Sequence, residues 1–389
     1  MRQYPHAPSA KVASGLLGDL AARPALNSSR KVDKPLVLYG AGNLGKMAKD
    51  YFGRLNIHFL YVVDAMPDIY RDDHFWKNIN IVSSQDVPVE QRGSVLLAVC
   101  VATVPFSEIS ATLLQEGWKD IVPFYDIAES YRDQHPLSNG WFTGGLDEED
   151  IKSIEEILSQ WADDISRAHH LQFIAWHHLR EDWIFNDAPV TTNDRYFIPQ
   201  VLSLLRDDEV FVDVGAHHAE VSMKFIQSVN GRFKEVWLVE PDGDNLREIR
   251  TGLQKMNTAI NSGIHLLACA VGAEEGCRNF SQGLGYASQL CEFAQDSVEV
   301  KIMDQLGLAP TFIKFHLEGG ELDALRGCLK TIEQYRPIIA ATTYHNRSGL
   351  WKLPKWLMDN LPDYIFLLRL HSWCGTGSVV YCIPMGKGL

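Results

Sequence analysis

The stretch Val210-Phe211-Val212-Asp213-Val214-Gly215-Ala216-His217-His218, followed by Val236-Trp237-Leu238-Val239-Glu240-Pro241-Asp242, decides the fold of this chain. The first run reads as a buried parallel strand that breaks into a small-residue turn and then a helix from about Glu220, so that backbone N–H groups can approach a ligand. The second run reads as the neighbouring strand of the same βαβ unit, and it ends in a carboxylate. An acidic side chain in that place can accept both ribose hydroxyls of a nucleoside. The pair therefore suits an adenosine cofactor, without saying which one.

Working outward, apolar runs and helical periods alternate from Val210 onward. Strand-like runs fall at Val210 to Val214, Val236 to Glu240, Ile264 to Ala270, Thr311 to Phe315, Pro337 to Thr343, Tyr364 to Leu370 and Val379 to Ile383. Helical stretches separate most of them, at about Glu220 to Val229, Asp244 to Met256, Glu321 to Tyr335 and Leu350 to Asn360. Between the last two strands lies only Ser372-Trp373-Cys374-Gly375-Thr376-Gly377, a loop suited to a hairpin. Parallel strands that finish in an antiparallel hairpin distinguish this sheet from that of a plain dehydrogenase.

A second, smaller α/β pattern precedes it. The strand Leu36-Val37-Leu38-Tyr39 runs into Gly40-Ala41-Gly42-Asn43-Leu44-Gly45, a helix to Arg54, and a strand ending in Asp64. This is the dinucleotide fingerprint in its expected context, so Gly40, Gly42, Gly45 and Asp64 are candidates for a second nucleotide site. A structural or acceptor-presenting role is the other reading. Further strands at Val95 to Cys100 and Asp120 to Phe124 complete a doubly wound domain over residues 35–130. Residues 1–34 read as an extension with a short helix near Val12 to Leu20 and a mobile tail. Residues 131–190 read as a connecting segment whose stretch after Asp147 is helical by its apolar spacing. Its histidines, His169, His170, His177 and His178, lack a carboxylate or cysteine that completes a ligand set, and no metal site is expected.

Composition narrows the partners. At 389 residues, 46% hydrophobic and 22% charged, the chain has length for two cores, with the second domain over residues 191–389. A formal net charge of −13 disfavours nucleic acid and anionic membranes and leaves small molecules as the default ligands. Seven cysteines without a CxxC pair indicate neither a disulfide framework nor a zinc ribbon, which fits a cytoplasmic protein. No run of apolar residues is long enough to span a bilayer. Composition leaves the oligomeric state open.

Four blocks carry a family resemblance: Val212-Asp213-Val214-Gly215-Ala216; Glu240-Pro241-Asp242 with Asn245-Leu246; Ile313-Lys314 with Glu318-Gly319 and Glu321; and Arg336-Pro337 leading to Tyr344-His345. In order and spacing they resemble the FkbM family of S-adenosylmethionine-dependent methyltransferases over roughly residues 190 to 384. The resemblance implies a class I methyltransferase fold, a seven-stranded mixed sheet, with S-adenosylmethionine as cofactor. It places Asp213 and Gly215 by the methionine part, Glu240 on the ribose, and Cys269 and Ala270 near the adenine, with His217, Pro241 and Asp242 also among the cofactor-binding candidates. It also implies O-methylation of a sugar or other hydroxylated small molecule. This chain has His217, Ala219 and His316 where the family pattern has Asn, Gly and Asp.

The chemistry should lie after the fourth and fifth strands. Methyl transfer from a sulfonium needs in-line alignment, and a hydroxyl acceptor benefits from proton removal, which a histidine can perform near neutral pH. His316 and His345 are the candidate bases, and Lys314 and Glu318 the candidate lining groups. Bland readings stand beside these: Asp213 as a helix cap, Gly215 as a turn residue, Glu240 as a solvated carboxylate, and both histidines as packing groups. Two other functions remain open, an NAD- or nucleotide-sugar-binding protein acting through the first domain and a catalytically silent protein of methyltransferase fold.

Overall fold

The computed structural model describes residues 1–135, 137, 141–255 and 261–386. The smaller sheet consists of β1 (Leu36–Tyr39), β2 (Phe59–Val63), β3 (Ile81–Val82), β4 (Leu96–Val99) and β5 (Asp120–Pro123), all parallel, in the order 3-2-1-4-5. The runs at β1 and β4 are apolar because both faces are covered, on one side by the helix Asn43–Arg54 and on the other by Phe106–Gln115. The edge strand β3 has no sequence signal, being two residues that pair with Val62 and Val63 of β2.

The larger sheet consists of β6 (Val210–Val214), β7 (Glu235–Val239), β8 (Ile264–Leu267), β9 (Phe312–Phe315), β10 (Ile338–Thr342), β11 (Tyr364–Leu370) and β12 (Ser378–Pro384). Their spatial order is 8-7-6-9-10-12-11, with β12 antiparallel to both neighbours and the other contacts parallel. That order and that single reversed strand are those of the class I methyltransferase fold, as expected from the sequence. The order of winding reverses between the parallel strands β6 and β9, and a ligand crevice forms outside the carboxyl ends at such a switch point.

Three details depart from expectation, each for a local reason. The run Ile264 to Ala270 does not continue as one strand: after Leu267 it leaves β7, and Ala270–Val271 pairs with Val300 and Lys301 in a small four-stranded sheet. The rest of that sheet, Gly276–Ser281, Gln289–Leu290 and Asp296–Lys301, is built from the insertion after β8. The helical stretch expected at Glu321 to Tyr335 is two helices, Glu321–Arg326 and Leu329–Tyr335, broken at Gly327. A Cβ at Gly327 would lie 2.1 Å from the Gly272 carbonyl oxygen, so the break permits close backbone approach. Finally, the first residues are no loose tail: Arg2–Tyr4 pairs in parallel with Trp183–Phe185, and Tyr4 stacks on Phe185 at 4.6 Å.

The connecting segment forms two helices, Glu148–Gln160 and Asp164–Leu179. The first begins with a capping box of Asp147 and Asp150. The second is buried almost all round, which explains its weak amphipathic signal. At its end Arg180 pairs with Asp126 of the small domain, 3.0 Å apart and almost fully buried. Trp176 and the hairpin-loop residue Cys374 join the apolar cluster of the small sheet, and the Trp373 N–H donates to the Ala102 carbonyl at 2.7 Å. These contacts hold the carboxyl ends of the two sheets toward one another. Among the described residues no helix is long and apolar enough to cross a membrane.

The four helical histidines serve packing. His169 and His170 each donate through Nε2 to a backbone carbonyl, of Ala188 and Leu350, and accept through Nδ1 from the Leu370 N–H and the Trp161 indole. His177 and His178 likewise bond only to backbone carbonyls. Burial pushes His169 down to about 3 and His170 to about 4, so both are neutral in the folded protein and must bind a proton on unfolding below about pH 6.5. Because the unfolded state then holds the extra protons, stability falls as pH drops from about 6.5 toward 4, with a slope of up to about 3 kcal/mol per pH unit from these two groups. Urea unfolding across that range measures the slope, and His169→Gln should reduce it by one proton's worth.

Candidate functional site

The turn after β6 is built for close approach. Gly215 has φ +78, and a Cβ there would lie 2.0 Å from the carbonyl oxygen of His316, so only glycine fits. His217 and Ala219 also adopt left-handed backbone, at φ 50 and 65, before the helix Glu220–Ser228 begins. For Ala219 that conformation costs about 1–2 kcal/mol, which the usual glycine would avoid. Its methyl packs into the apolar core rather than into the crevice, so this departure from the family pattern leaves the ligand side clear.

Glu240, just beyond β7, closes the turn from the neighbouring strand. One oxygen accepts the His217 N–H at 2.8 Å, and the other accepts the Asp242 N–H at 2.9 Å and the Asn245 amide at 3.3 Å. Burial raises its pKa, and these donors oppose the rise. It lines the crevice with Pro241, Cys269 and Ala270. Asp242 does not. Its carboxylate caps the helix Gly243–Gln254 through Asp244 and Asn245, and its second oxygen pins the Gly283 N–H and the Ser288 hydroxyl, both at 2.7 Å. Asp242 therefore orders the loop over the crevice instead of facing a ligand. The loop then lays Tyr286 on His217, with ring centres 3.8 Å apart.

The smaller sheet repeats this construction. Gly40 takes φ +103 after β1, and Asp64 after β2 accepts the Ala41 N–H at 2.8 Å as Glu240 accepts the His217 N–H. A Cβ at Gly45 would meet the Gly40 carbonyl at 2.0 Å, so Gly45 serves turn and helix packing. Gly40, Gly42 and Asp64 line the same cavity as Gly215 and Glu240. That cavity is a cleft of about 1150 Å³ between the two sheets.

Asp213 and Lys314 occupy paired positions of β6 and β9 at the floor of the cleft, which Lys314 helps to line. Lys314 Nζ donates to Asp213 Oδ1 at 2.8 Å and to the Gly215 carbonyl at 2.6 Å, while Ser222 donates to the other Asp213 oxygen at 2.6 Å. Both groups are essentially fully buried. Lys314 pairs with Asp213 because the register of adjacent strands sets these side chains together. Lys314 thus holds the Gly215 turn and, as expected, also lines the cleft.

Above them, after β9 and β10, the expected reactive residues converge. His316 borders the cleft, with Nδ1 on the Tyr196 hydroxyl at 2.9 Å and Nε2 on the Tyr344 hydroxyl at 3.1 Å and Glu318 Oε1 at 3.2 Å. Burial and the neighbouring Arg195 hold it well below the ordinary histidine range, so it is neutral. Arg195 donates to the Tyr344 hydroxyl at 2.6 Å. His345, by contrast, is 1% exposed and does not border the cleft. Its Nδ1 bonds Glu321 Oε1 at 2.8 Å and its Nε2 faces Glu318 Oε1 at 3.4 Å, so the role of free base does not suit it. Glu321 in turn accepts from the Thr342 hydroxyl and the Leu317 and Gly319 N–H groups.

Arg195 and Tyr196 were not foreseen. They lie in an irregular segment without a motif, and their role comes from contact with His316 and Tyr344, more than a hundred residues distant in the chain.

No family model matches the chain, and no curated relative is found. Among solved structures, the methyltransferase FkbM from Methylobacillus flagellatus KT shares the fold, with a TM-score of 0.61 over 96% of this chain and 98% of that one at 21% identity. Partial matches include the precorrin-6y C5,15-methyltransferase from Geobacter metallireducens GS-15, at 17% identity over 51% of this chain and 93% of that one with TM-score 0.29. Another is the Aeropyrum pernix fibrillarin, at 9% identity over 46% and 69% with TM-score 0.31. The chain thus has the class I methyltransferase fold, and its similarity to the first of these structures extends through the N-terminal α/β unit as well.

Removing the lysine of the buried pair leaves Asp213 without its counter-charge, which costs about 3–5 kcal/mol. Lys314→Met should lower the unfolding free energy by that amount in urea titration. A loss below about 1 kcal/mol would show that the pair is not the support described.

Proposed function

We propose that this chain is an S-adenosylmethionine-dependent methyltransferase that methylates an oxygen of a hydroxylated small molecule, a sugar being one such acceptor. One observation carries this reading: the Gly215 turn and the Glu240 carboxylate open onto the same cleft as His316 and Glu318, on strands β6, β7 and β9 that lie side by side. The residues fit the cofactor. Gly215 presents bare backbone, Glu240 retains acceptor capacity toward ribose hydroxyls, and the His217 Nδ1 is buried without a hydrogen-bond partner beside them. Cys269 and Ala270 leave an apolar slot for a base at the end of the β8 segment.

When bound, the cofactor supplies a methyl group activated by attachment to a sulfonium. The protein's part is to align the acceptor and exclude water. Glu240 and the turn orient the donor side. His316, Glu318 and Tyr344 border the side where an acceptor hydroxyl would lose its proton. The opposite wall belongs to the smaller unit, residues 35–130, whose Gly40, Gly42, Asp64 and Tyr70 face into the cleft. We read that unit as the acceptor-holding domain and residues 191–389 as the cofactor-holding domain. An acceptor carrying a nucleotide would find at Gly40 and Gly42 the turn that suits its phosphates.

Calorimetric titration with S-adenosylmethionine and S-adenosylhomocysteine should show one site. Glu240→Ala removes hydrogen bonds from a charged acceptor and should weaken both ligands on the order of 100-fold, while unfolding stays cooperative. Absence of binding at millimolar ligand rejects the function, and undiminished affinity in the variant rejects the assignment of Glu240.

A further inference from the structure

His316, Glu318 and His345 come together from two strand ends that are adjacent only in space. His316 Nε2 and His345 Nε2 point at the same carboxylate oxygen, Glu318 Oε1, from 3.2 and 3.4 Å, and one donor atom from each of the three residues falls within 4.8 Å of the others. Around a four-coordinate ion with bonds of about 2.1 Å, ligand atoms sit about 3.4 Å apart, so the two short separations need almost no adjustment. The second nitrogen of each ring is engaged, His345 Nδ1 on Glu321 at 2.8 Å and His316 Nδ1 on the Tyr196 hydroxyl at 2.9 Å, while His316 Nε2 also meets the Tyr344 hydroxyl at 3.1 Å, a bond that the ion would replace. A carboxylate behind an imidazole is the usual support of a ligating histidine, because it fixes the tautomer and turns the free nitrogen toward the metal. Glu321 is itself held by three donors, so the supporting shell is rigid.

A further observation concerns the atom of the group that the protein satisfies least, which meets Glu318 only at 3.4 Å. His345 Nε2 is buried and forms no hydrogen bond of acceptable geometry, although its ring is 1% exposed. Such an atom is costly to leave without a good partner. His316 and Glu318 border the cleft, whereas His345 closes the group from behind, so an open position would face the acceptor side.

We propose that His316, Glu318 and His345 bind a divalent first-row transition-metal ion, with an open coordination position toward the cleft. Imidazole and carboxylate donors together select such an ion over magnesium or calcium, which take oxygen ligands. Its use, which rests on the methyltransferase reading, is to hold the acceptor oxygen. The ion lowers the pKa of the bound hydroxyl, whose proton passes to water. The oxygen lone pair then forms the new O–CH₃ bond as the S–CH₃ bond breaks and its electron pair stays on sulfur. The departure from the family pattern at His316 acquires a purpose in this arrangement, since it supplies the ligand nearest the cleft.

The test is titration of the full-length, chelator-treated protein with Co(II), followed by visible absorption and calorimetry in the absence of any other ligand. One equivalent should bind and give the d–d bands of a nitrogen- and oxygen-ligated ion. Glu318→Gln, which keeps the side-chain volume, and His316→Ala, at the cleft rim, should each abolish stoichiometric binding, with circular dichroism confirming the fold. Glu321→Gln should weaken it by about 10–100-fold, as loss of a supporting carboxylate does. No stoichiometric uptake, or uptake unchanged in both ligand variants, overturns the proposal. S-adenosylhomocysteine is titrated separately into the metal-free protein: binding there without Co(II) uptake defeats the metal site alone, and Co(II) uptake without it defeats the proposed function alone.

Discussion

Everything at the mouth of the larger sheet rests on the buried pair between Asp213 and Lys314. Two opposite charges removed from water persist only when each is fully coordinated, and here Ser222 and the Gly215 carbonyl complete the shell. The pair therefore does more than join β6 to β9. By drawing the Gly215 carbonyl down to Lys314, it turns the backbone of the glycine loop so that its other face is presented to the cleft. Gly215 in turn packs against the His316 backbone, so the position of His316 follows from the same contact. A charge pair at the sheet's centre thus sets the distance between the glycine turn and His316.

The two α/β units solve one problem twice. In each, a glycine turn follows the first strand, and a carboxylate after the second strand accepts a turn N–H at 2.8 Å. The device stiffens a loop that must stay open to a ligand, because the acid replaces hydrogen bonds that the helix start leaves unmade. Facing the two turns across one cleft gives an arrangement that neither unit has alone, two glycine turns lining a single cavity. The Arg180–Asp126 pair and the Trp373–Ala102 bond keep that spacing.

Histidines show how environment divides one residue type into separate tasks. His169 and His170 sit in the helical connector, satisfied by backbone groups and neutral. His345 stands between two carboxylates, and their charges raise its pKa against the opposing effect of burial. His316, five ångströms away in a stacked arrangement, is held neutral. Spacing along the chain could not distinguish these cases, since each depends on which carbonyl or carboxylate the fold brings opposite the ring.

Local pattern by itself determined the two sheets, the run of strands from Val210 to Ile383, the terminal hairpin and the placement of Gly215 and Glu240, because apolar period and turn chemistry are properties of neighbouring residues. It also indicated Lys314, His316, Glu318 and His345 at adjacent strand ends. Tertiary structure decided their division of labour. Strand register gave Lys314 to Asp213, helix capping turned Asp242 away from the cleft, and burial closed His345 behind Glu318. The contacts of Arg195 and Tyr196, the splitting of the β8 run and the meeting of two glycine turns in one cavity likewise arise from residues far apart in sequence. Partners of that kind are chosen by packing in three dimensions, for which a linear pattern carries no period.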